Sequence, residues 1–171
     1  RIDEMNKLLV EQSLRRFLTE DIGTGDLSSE LVFGDEVSEG FFLAKDDGII
    51  CGTGLIETVY GLFGKDFIVE ILKNDGESVK KGEHIARVKA PVKTMLSCER
   101  VLLNLMQLMS GIATTADTYV KKLNDSSIKI CDTRKTHPGL RMFEKYAVTC
   151  GGAFNHRMAL YDGVMLKDNH I

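Results

Sequence analysis

The sequence predicts a two-part chain: an α+β front built on antiparallel strands, then a parallel α/β back. Three observations carry this. Strand-like runs punctuated by glycine fill residues 40–90, a long apolar helical stretch covers 97–123, and from 128 the order becomes strand, polar turn, helix, strand. Strands that alternate with helices imply a parallel arrangement, in which ligands sit beyond the carboxyl ends of the strands.

The elements follow in order. Residues 3–20 set Met5, Leu8, Leu9, Leu14, Phe17 and Leu18 at roughly helical spacing, an amphipathic opening helix. Gly23-Thr24-Gly25-Asp26 ends it, and Asp26 or Ser28 is placed to cap a short turn. Runs 40–45 and 48–52 flank Asp46-Asp47, a hairpin signal. Residues 55–63 return to helical spacing, and 67–73 and 85–89 read as strands around a turn running from Asp75-Gly76 to Gly82. That turn has the G-x-x-V-x-x-G rhythm of biotinyl or lipoyl barrels, but no exposed carrier lysine hairpin accompanies it. The 97–123 helix is apolar on nearly every side, which places it between layers or in a subunit interface. Glu99-Arg100 heads its apolar run, and Gly111 inside it suggests close packing or a break. Residues 128–131 form a short buried strand, Leu140, Phe143, Ala147 and Cys150 mark a helix face ended by Gly151-Gly152, and 163–166 is the next strand.

Composition narrows the function classes. At roughly 150 residues per domain, 171 residues give one or two domains. Hydrophobic residues are 43% and charged residues 27%, a globular balance. The formal charge is 22 − 25 = −3, so nothing global attracts nucleic acid or anionic lipid. No apolar stretch approaches the ~20 residues of a membrane span. Residues 132–171 nonetheless hold six Lys/Arg against four Asp/Glu, a net of +2. Cys51, Cys98, Cys131 and Cys150 lack the spacing of a zinc clamp or a redox motif. Cys51 and Cys131, in apolar surroundings, read as small buried hydrophobes in a reducing compartment. No basic-then-apolar leader opens the sequence, so a cytoplasmic protein is expected. Both ends look abrupt, and the natural molecule is expected to be longer.

The residues suited to chemistry lie where the strands end. Thr133, Arg134 and Lys135 are supported by Arg141, His156, Arg157 and Lys167. Arginine offers a planar fork for carboxylate or phosphate, and lysine a compact charge for phosphate or pyrophosphate. Such groups build a cavity for a multiply anionic ligand; the alternative is a solvated basic surface paired with Asp132, Asp162 and Asp168. His156 is either a ligand or acid–base group or a structural histidine, and His137 reads as structural or exposed. No H-E-x-x-H, G-x-S-x-G, G-x-G-x-x-G or G-x-x-x-x-G-K-[ST] motif is present, so a protein-held zinc, a serine nucleophile and nucleotide-binding loops of those types are not expected.

Further motifs make a family resemblance. They are Glu20-Asp21-Ile22-Gly23-Thr24-Gly25-Asp26, Glu99-Arg100 through Asn104, and Leu108-Met109-Ser110-Gly111-Ile112-Ala113-Thr114. They continue in Asp132-Thr133-Arg134-Lys135-Thr136, Pro138-Gly139-Leu140-Arg141, Glu144-Lys145-Tyr146-Ala147, Asn155-His156-Arg157-Met158 and Lys167-Asp168-Asn169-His170-Ile171. In this order they resemble the quinolinate phosphoribosyltransferases, also called nicotinate-nucleotide pyrophosphorylases (carboxylating), across essentially the whole chain. The resemblance implies an N-terminal α/β open sandwich, here residues 1–105, and the start of a C-terminal α/β barrel, incomplete here, at 106–171. It implies a pentosyltransferase that joins quinolinate to phosphoribosyl pyrophosphate, giving nicotinate mononucleotide, pyrophosphate and CO2 in NAD biosynthesis. By the same resemblance Arg134, Lys135, His156, Arg157 and Lys167 bind quinolinate, with Thr133 beside them. Lys135 and Lys167 also act on the phosphoribosyl donor as the catalytic pair. Arg100 is implied to reach the neighbouring subunit's site in a homodimer or larger assembly. Mg²⁺ is implied as a substrate-bound ion whose protein ligands fall beyond Ile171. Two other readings stand beside this one: a related transferase of molybdenum metabolism with another substrate, and a non-catalytic anion-binding subunit that associates through the apolar helix.

Overall fold

A computed structural model describes residues 5–170, so residues 3–4 of the expected opening helix and Ile171 of the last motif lie outside the described residues. Helix α1 (Lys7–Ile22) starts where the Asn6 side chain accepts from the backbone N–H groups of Leu8 and Leu9, and it turns Val10, Leu14 and Leu18 inward at four-residue spacing. It ends at Gly23, whose φ of 56° suits a residue without Cβ. Asp26 then caps α2 (Leu27–Val32), accepting from the Ser29 N–H at 3.1 Å and the Ser29 hydroxyl at 2.6 Å. The same carboxylate takes the Ser97 hydroxyl at 3.0 Å, which ties α2 to the long helix.

The strands are β1 (Val37–Leu43), β2 (Gly48–Ile49), β3 (Ile68–Ile71), β4 (Ser78–Val79) and β5 (His84–Pro91), with helix α3 (Gly54–Gly61) between β2 and β3. The larger sheet is antiparallel in the order β1-β5-β3, with Phe41 opposite Arg87 and Val69 opposite Val88. Its central strand buries Ile85, Ala86, Val88 and Ala90. The hairpin expected about Asp46-Asp47 does not form, because β2 pairs with β4 instead of β1. The reason lies in the long helix α4 (Val92–Leu123). Its Thr114 hydroxyl accepts from the Ile49 N–H at 2.8 Å, and its Ser110 hydroxyl accepts from the Cys51 N–H at 3.0 Å. These side chains satisfy one edge of the β2 segment, and β4 satisfies the other. Gly48 permits the approach, since a Cβ there would stand 2.6 Å from the Thr114 hydroxyl.

Helix α4 is 32 residues long and unbroken. Gly111 is exposed with open space at its Cβ position, so it marks neither a break nor close packing. Cys98, Val101, Leu102, Leu105, Met106, Met109 and Ala113 form its buried stripe against α1, α3, β2 and helix α5 (Arg141–Cys150). Burial pushes the Cys98 thiol up to about 12. The tight contact belongs to Gly151, where a Cβ would lie 2.2 Å from the Ala113 carbonyl oxygen and 2.6 Å from the Ala116 Cβ. No helix among the described residues is long and apolar enough to cross a membrane.

Two further expectations change at the back of the chain. The 128–131 strand is reduced to one parallel bridge, Cys131 to Phe154, and Cys131 is exposed. Segment 163–166 forms no strand, and Val164 is 95% exposed. Parallel strands are stable when neighbours cover both faces, and no described element pairs with 163–166.

Candidate functional site

The parallel bridge organises this region. Phe154 N–H donates to the Ile130 carbonyl at 2.9 Å and Asp132 N–H donates to the Phe154 carbonyl at 3.0 Å. Because the two segments run in one direction, residues 133–135 and 156–157 leave the bridge on the same side.

A buried charge holds that junction. The Lys145 ammonium on α5 pairs with Asp132 Oδ1; the lysine side chain is 1% exposed and the aspartate 8%. The same Oδ1 accepts from the His156 backbone N–H at 2.8 Å. The Asn155 amide, oriented with its nitrogen toward two oxygens, donates to Asp132 Oδ2 at 2.6 Å and to the Lys145 carbonyl at 2.8 Å. Both carboxylate oxygens are therefore committed, and Asp132 acts as a scaffold. Sequence reading missed this pair. The available signal was a lysine flanked on one helix by Phe143, Tyr146 and Ala147, all of them buried.

A second brace is Arg141, whose Nε donates to the Thr136 hydroxyl at 3.0 Å and whose Nη1 donates to the Met158 carbonyl at 3.4 Å. It staples the loop after the bridge to the segment after Arg157. In that loop Glu144 Oε1 faces His137 Nδ1 at 2.5 Å, and Glu144 Oε2 accepts from the His137 backbone N–H. His137 is otherwise exposed.

The expected site residues divide into three groups. Thr133, Arg134, Lys135, His156 and Arg157 are brought to one side of the bridge. Thr133 Oγ1 accepts from the Lys135 N–H at 3.0 Å, a local turn that leaves both residues exposed. The Arg134 guanidinium makes no hydrogen bond or ion pair among the described residues, and its Nε is buried without a partner. The His156 side chain is exposed. Arg157 is half-buried and partly engaged, with Nη1 donating to the Gly163 carbonyl at 2.7 Å and Nη2 facing the Met165 sulfur at 3.7 Å. Lys167 forms a second group, exposed on the final short turn, where its N–H donates to His170 Nδ1 at 3.3 Å. Arg100 stands apart. It lines a cleft of about 260 Å³ with Phe17, Glu20, Asp21, Asn104 and Leu140, and none of the other expected site residues borders that cleft.

Among the described residues, no set of three acidic, histidine or cysteine side chains converges near these cations to hold a magnesium ion. Asp132 is consumed by Lys145, Asn155 and His156, and Asp162 caps the Met158 N–H at 2.7 Å. Magnesium prefers free carboxylate and water oxygens in octahedral array. What the arrangement offers is donors: an unsatisfied guanidinium, a second guanidinium and exposed ammonium groups, suited to carboxylate and phosphate oxygens.

Comparison with known proteins identifies the family. The family model described as "Quinolinate phosphoribosyl transferase, N-terminal domain" matches residues 26–110, and the one described as its C-terminal domain matches residues 112–171. A probable nicotinate-nucleotide pyrophosphorylase [carboxylating] of Bacillus subtilis is 50% identical over 167 residues, covering 98% of this chain and 58% of that relative. The chloroplastic nicotinate-nucleotide pyrophosphorylase [carboxylating] of Arabidopsis thaliana is 45% identical over 159 residues, 90% of this chain and 44% of that one. Among solved structures, the nicotinate-nucleotide pyrophosphorylase of Francisella tularensis superposes with a TM-score of 0.92 at 36% identity, over 100% of this chain and 62% of that one. NadC from Streptococcus pyogenes gives 0.93 at 37% identity, over 97% and 59%. The chain thus spans a little under 60% of the length of the first two bacterial relatives.

Proposed function

The chain belongs to the quinolinate phosphoribosyltransferase family, and from that premise we propose that it carries the quinolinate-recognition residues of a decarboxylating pentosyltransferase. The reaction joins quinolinate to phosphoribosyl pyrophosphate, yielding nicotinate mononucleotide, pyrophosphate and CO2 for NAD biosynthesis. One observation supports this most strongly: Arg134 presents a buried guanidinium nitrogen that nothing among the described residues satisfies. Buried donors are almost always paired, so an orphan beside a cluster of cations is what an anionic ligand would complete.

In this reading Arg134 and Arg157 hold the two carboxylates of the pyridine diacid, with Thr133 and His156 alongside as hydrogen-bonding neighbours. Lys135 and Lys167, exposed and unburdened by ion pairs among the described residues, take the charge that develops on the leaving pyrophosphate. The pyridine nitrogen's lone pair forms the bond to the ribose anomeric carbon as the carbon–oxygen bond to pyrophosphate breaks. The ring is then cationic and accepts the bonding pair when the adjacent carboxylate departs as CO2, and a proton takes its place. Orientation and charge neutralisation suffice, and no protein nucleophile is needed. Magnesium would travel on the donor's pyrophosphate, since no set of three ligand side chains converges near these cations among the described residues.

Arg100, exposed on α4 and lining a cleft that none of this set borders, would serve a neighbouring subunit in a homodimer or higher assembly. The division into a sandwich at 1–105 and a barrel opening at 106–171 would pass through α4, giving that helix to both parts. A cytoplasmic setting suits the four free thiols. The test is quinolinate-dependent release of CO2 and pyrophosphate by the whole enzyme carrying this sequence. Failure to consume quinolinate with the phosphoribosyl donor present refutes the proposal.

A further inference from the structure

At the C-terminal end of α5 the fold gathers three groups that the proposed chemistry does not use. Cys51 follows β2, Asp75 lies in the turn between β3 and β4, and Cys150 is the last residue of α5. Each offers one ligand atom, and the three atoms lie within 4.8 Å of one another. We propose that Cys51, Asp75 and Cys150 bind a thiophilic divalent cation of the zinc class.

The donor chemistry selects the ion. Two sulfurs and one carboxylate oxygen favour borderline-soft metals over magnesium or calcium. A tetrahedral ion with metal–sulfur bonds of about 2.3 Å spaces its donors roughly 3.5–4 Å apart, so atoms within 4.8 Å of one another need to close by at most about 1.3 Å. Three protein ligands leave a fourth position for water.

The surroundings fix the ligands in place. Asp75 Oδ1 accepts from the Thr53 N–H at 2.9 Å and the Thr53 hydroxyl at 2.7 Å, and Asp75 Oδ2 accepts from the Tyr146 hydroxyl at 2.8 Å. A carboxylate has about four acceptor positions, so one remains for a metal, and the other three orient the group as outer-shell partners do. The turn carrying Asp75 is itself clamped. Gly76 N–H donates to the Ile50 carbonyl at 2.9 Å, and a Cβ on Gly76 would come 3.3 Å from the Cys150 carbonyl oxygen. Of the three ligands, Asp75 borders a cleft of about 840 Å³ whose charged lining also includes Lys7, Glu11, Glu57 and Glu77, acidic groups outnumbering basic ones. Sequence spacing could not show this site, because its ligands come from three separate elements.

Binding releases the thiol protons as the sulfurs become thiolates. Cobalt(II) is the probe, because thiolate coordination gives it a near-ultraviolet charge-transfer band and tetrahedral coordination gives it strong visible bands. The reduced chain should take up one equivalent with both signatures, and zinc should displace it. Cys150→Ser, at a half-buried position, and Cys51→Ser should abolish the charge-transfer band, while Cys131→Ser retains it. Asp75→Asn should weaken uptake at least about tenfold. Circular dichroism of each metal-free variant separates lost ligation from lost folding, and Cys150→Ser decides the matter if Cys51→Ser fails to fold. Absence of the band in the reduced wild type, or its persistence in folded Cys150→Ser, overturns the proposal. So does a reduced chain that takes up no cobalt yet loses two hydrogens to peroxide, because the pair is then a disulfide-forming one.

Discussion

Arg134→Ala separates binding from folding. The guanidinium makes no hydrogen bond or ion pair among the described residues, and its Nε is a buried donor without a partner. Truncation therefore removes no internal bond and relieves an orphan whose desolvation costs on the order of 1–3 kcal/mol. Against that stands the lost packing of a half-buried side chain. Stability should change by less than about 1 kcal/mol in either sense, or no more than about 4 °C in Tm for a domain of this size. A carboxylate held by the fork loses a charged partner, a loss of about 2–5 kcal/mol. At 1.4 kcal/mol per decade, kcat/KM falls roughly 30- to 5,000-fold. The assay is CO2 release from quinolinate, run beside urea unfolding of the same preparations. Unchanged kcat/KM refutes the binding role. Destabilisation above about 3 kcal/mol refutes the claim that the residue is idle in the fold.

Lys145→Met should behave in the opposite way. It leaves Asp132 buried without its charge partner, so unfolding free energy should fall by about 3–5 kcal/mol, whereas Lys80→Ala, at the exposed Lys80–Asp47 pair, should leave the urea midpoint close to that of wild type; equal urea midpoints for the two variants would contradict this. Gly151→Ala should cost about 1–3 kcal/mol through overpacking alone, since its φ of −82° is ordinary. Gly152→Ala should lose a similar amount for a different reason, because its surroundings are open but its φ is +81°. Restoring room with Ala116→Gly should rescue part of the first loss and none of the second. The Ser29 hydroxyl, then the Ser29 N–H and the Ser97 hydroxyl, hold the Asp26 carboxyl below its usual value. Its folded value is depressed, so its contribution is full above the unfolded value near about 3.9 and fades as pH falls through the folded one. Acid unfolding curves of wild type and Asp26→Asn should therefore converge as pH falls through that range, and parallel curves would refute the assignment.

Sequence reading found the helices because periodicity is a local signal. α1, α3, α4 and α5 each carry a stripe that the core then buries. Pairing is not local. Asp46-Asp47 has the chemistry of a hairpin turn, yet the partner of β2 is β4, some thirty residues on, and Ser110 and Thr114 of α4 occupy the other edge. Segment 163–166 has an apolar composition, but a strand exists only with a neighbour to bond. In the candidate site the cations were legible by residue type, and their grouping about residues 131 and 154 followed from strand direction. The buried Lys145 was hidden, because a lysine in a helix ordinarily points to water, and only the fold shows Asp132 waiting beneath it.

The junction explains why two kinds of charge stand so close together. Asp132 and Lys145 are buried against each other and both Asp132 oxygens are taken, so the pair holds the backbone where two parallel segments begin to diverge. Arg134, Lys135 and His156 issue from that junction with side chains that make no ion pair among the described residues, so their donors stay available. Were the scaffold apolar, the His156 N–H and the Asn155 amide would lose their acceptor, and the two segments could slide against one another. Were the outer cations paired internally, an anion would have to break those pairs to enter. Damage to the inner pair should therefore weaken substrate affinity and stability together, whereas damage to the outer residues should weaken affinity alone. That difference in coupling marks a scaffold apart from a binding surface.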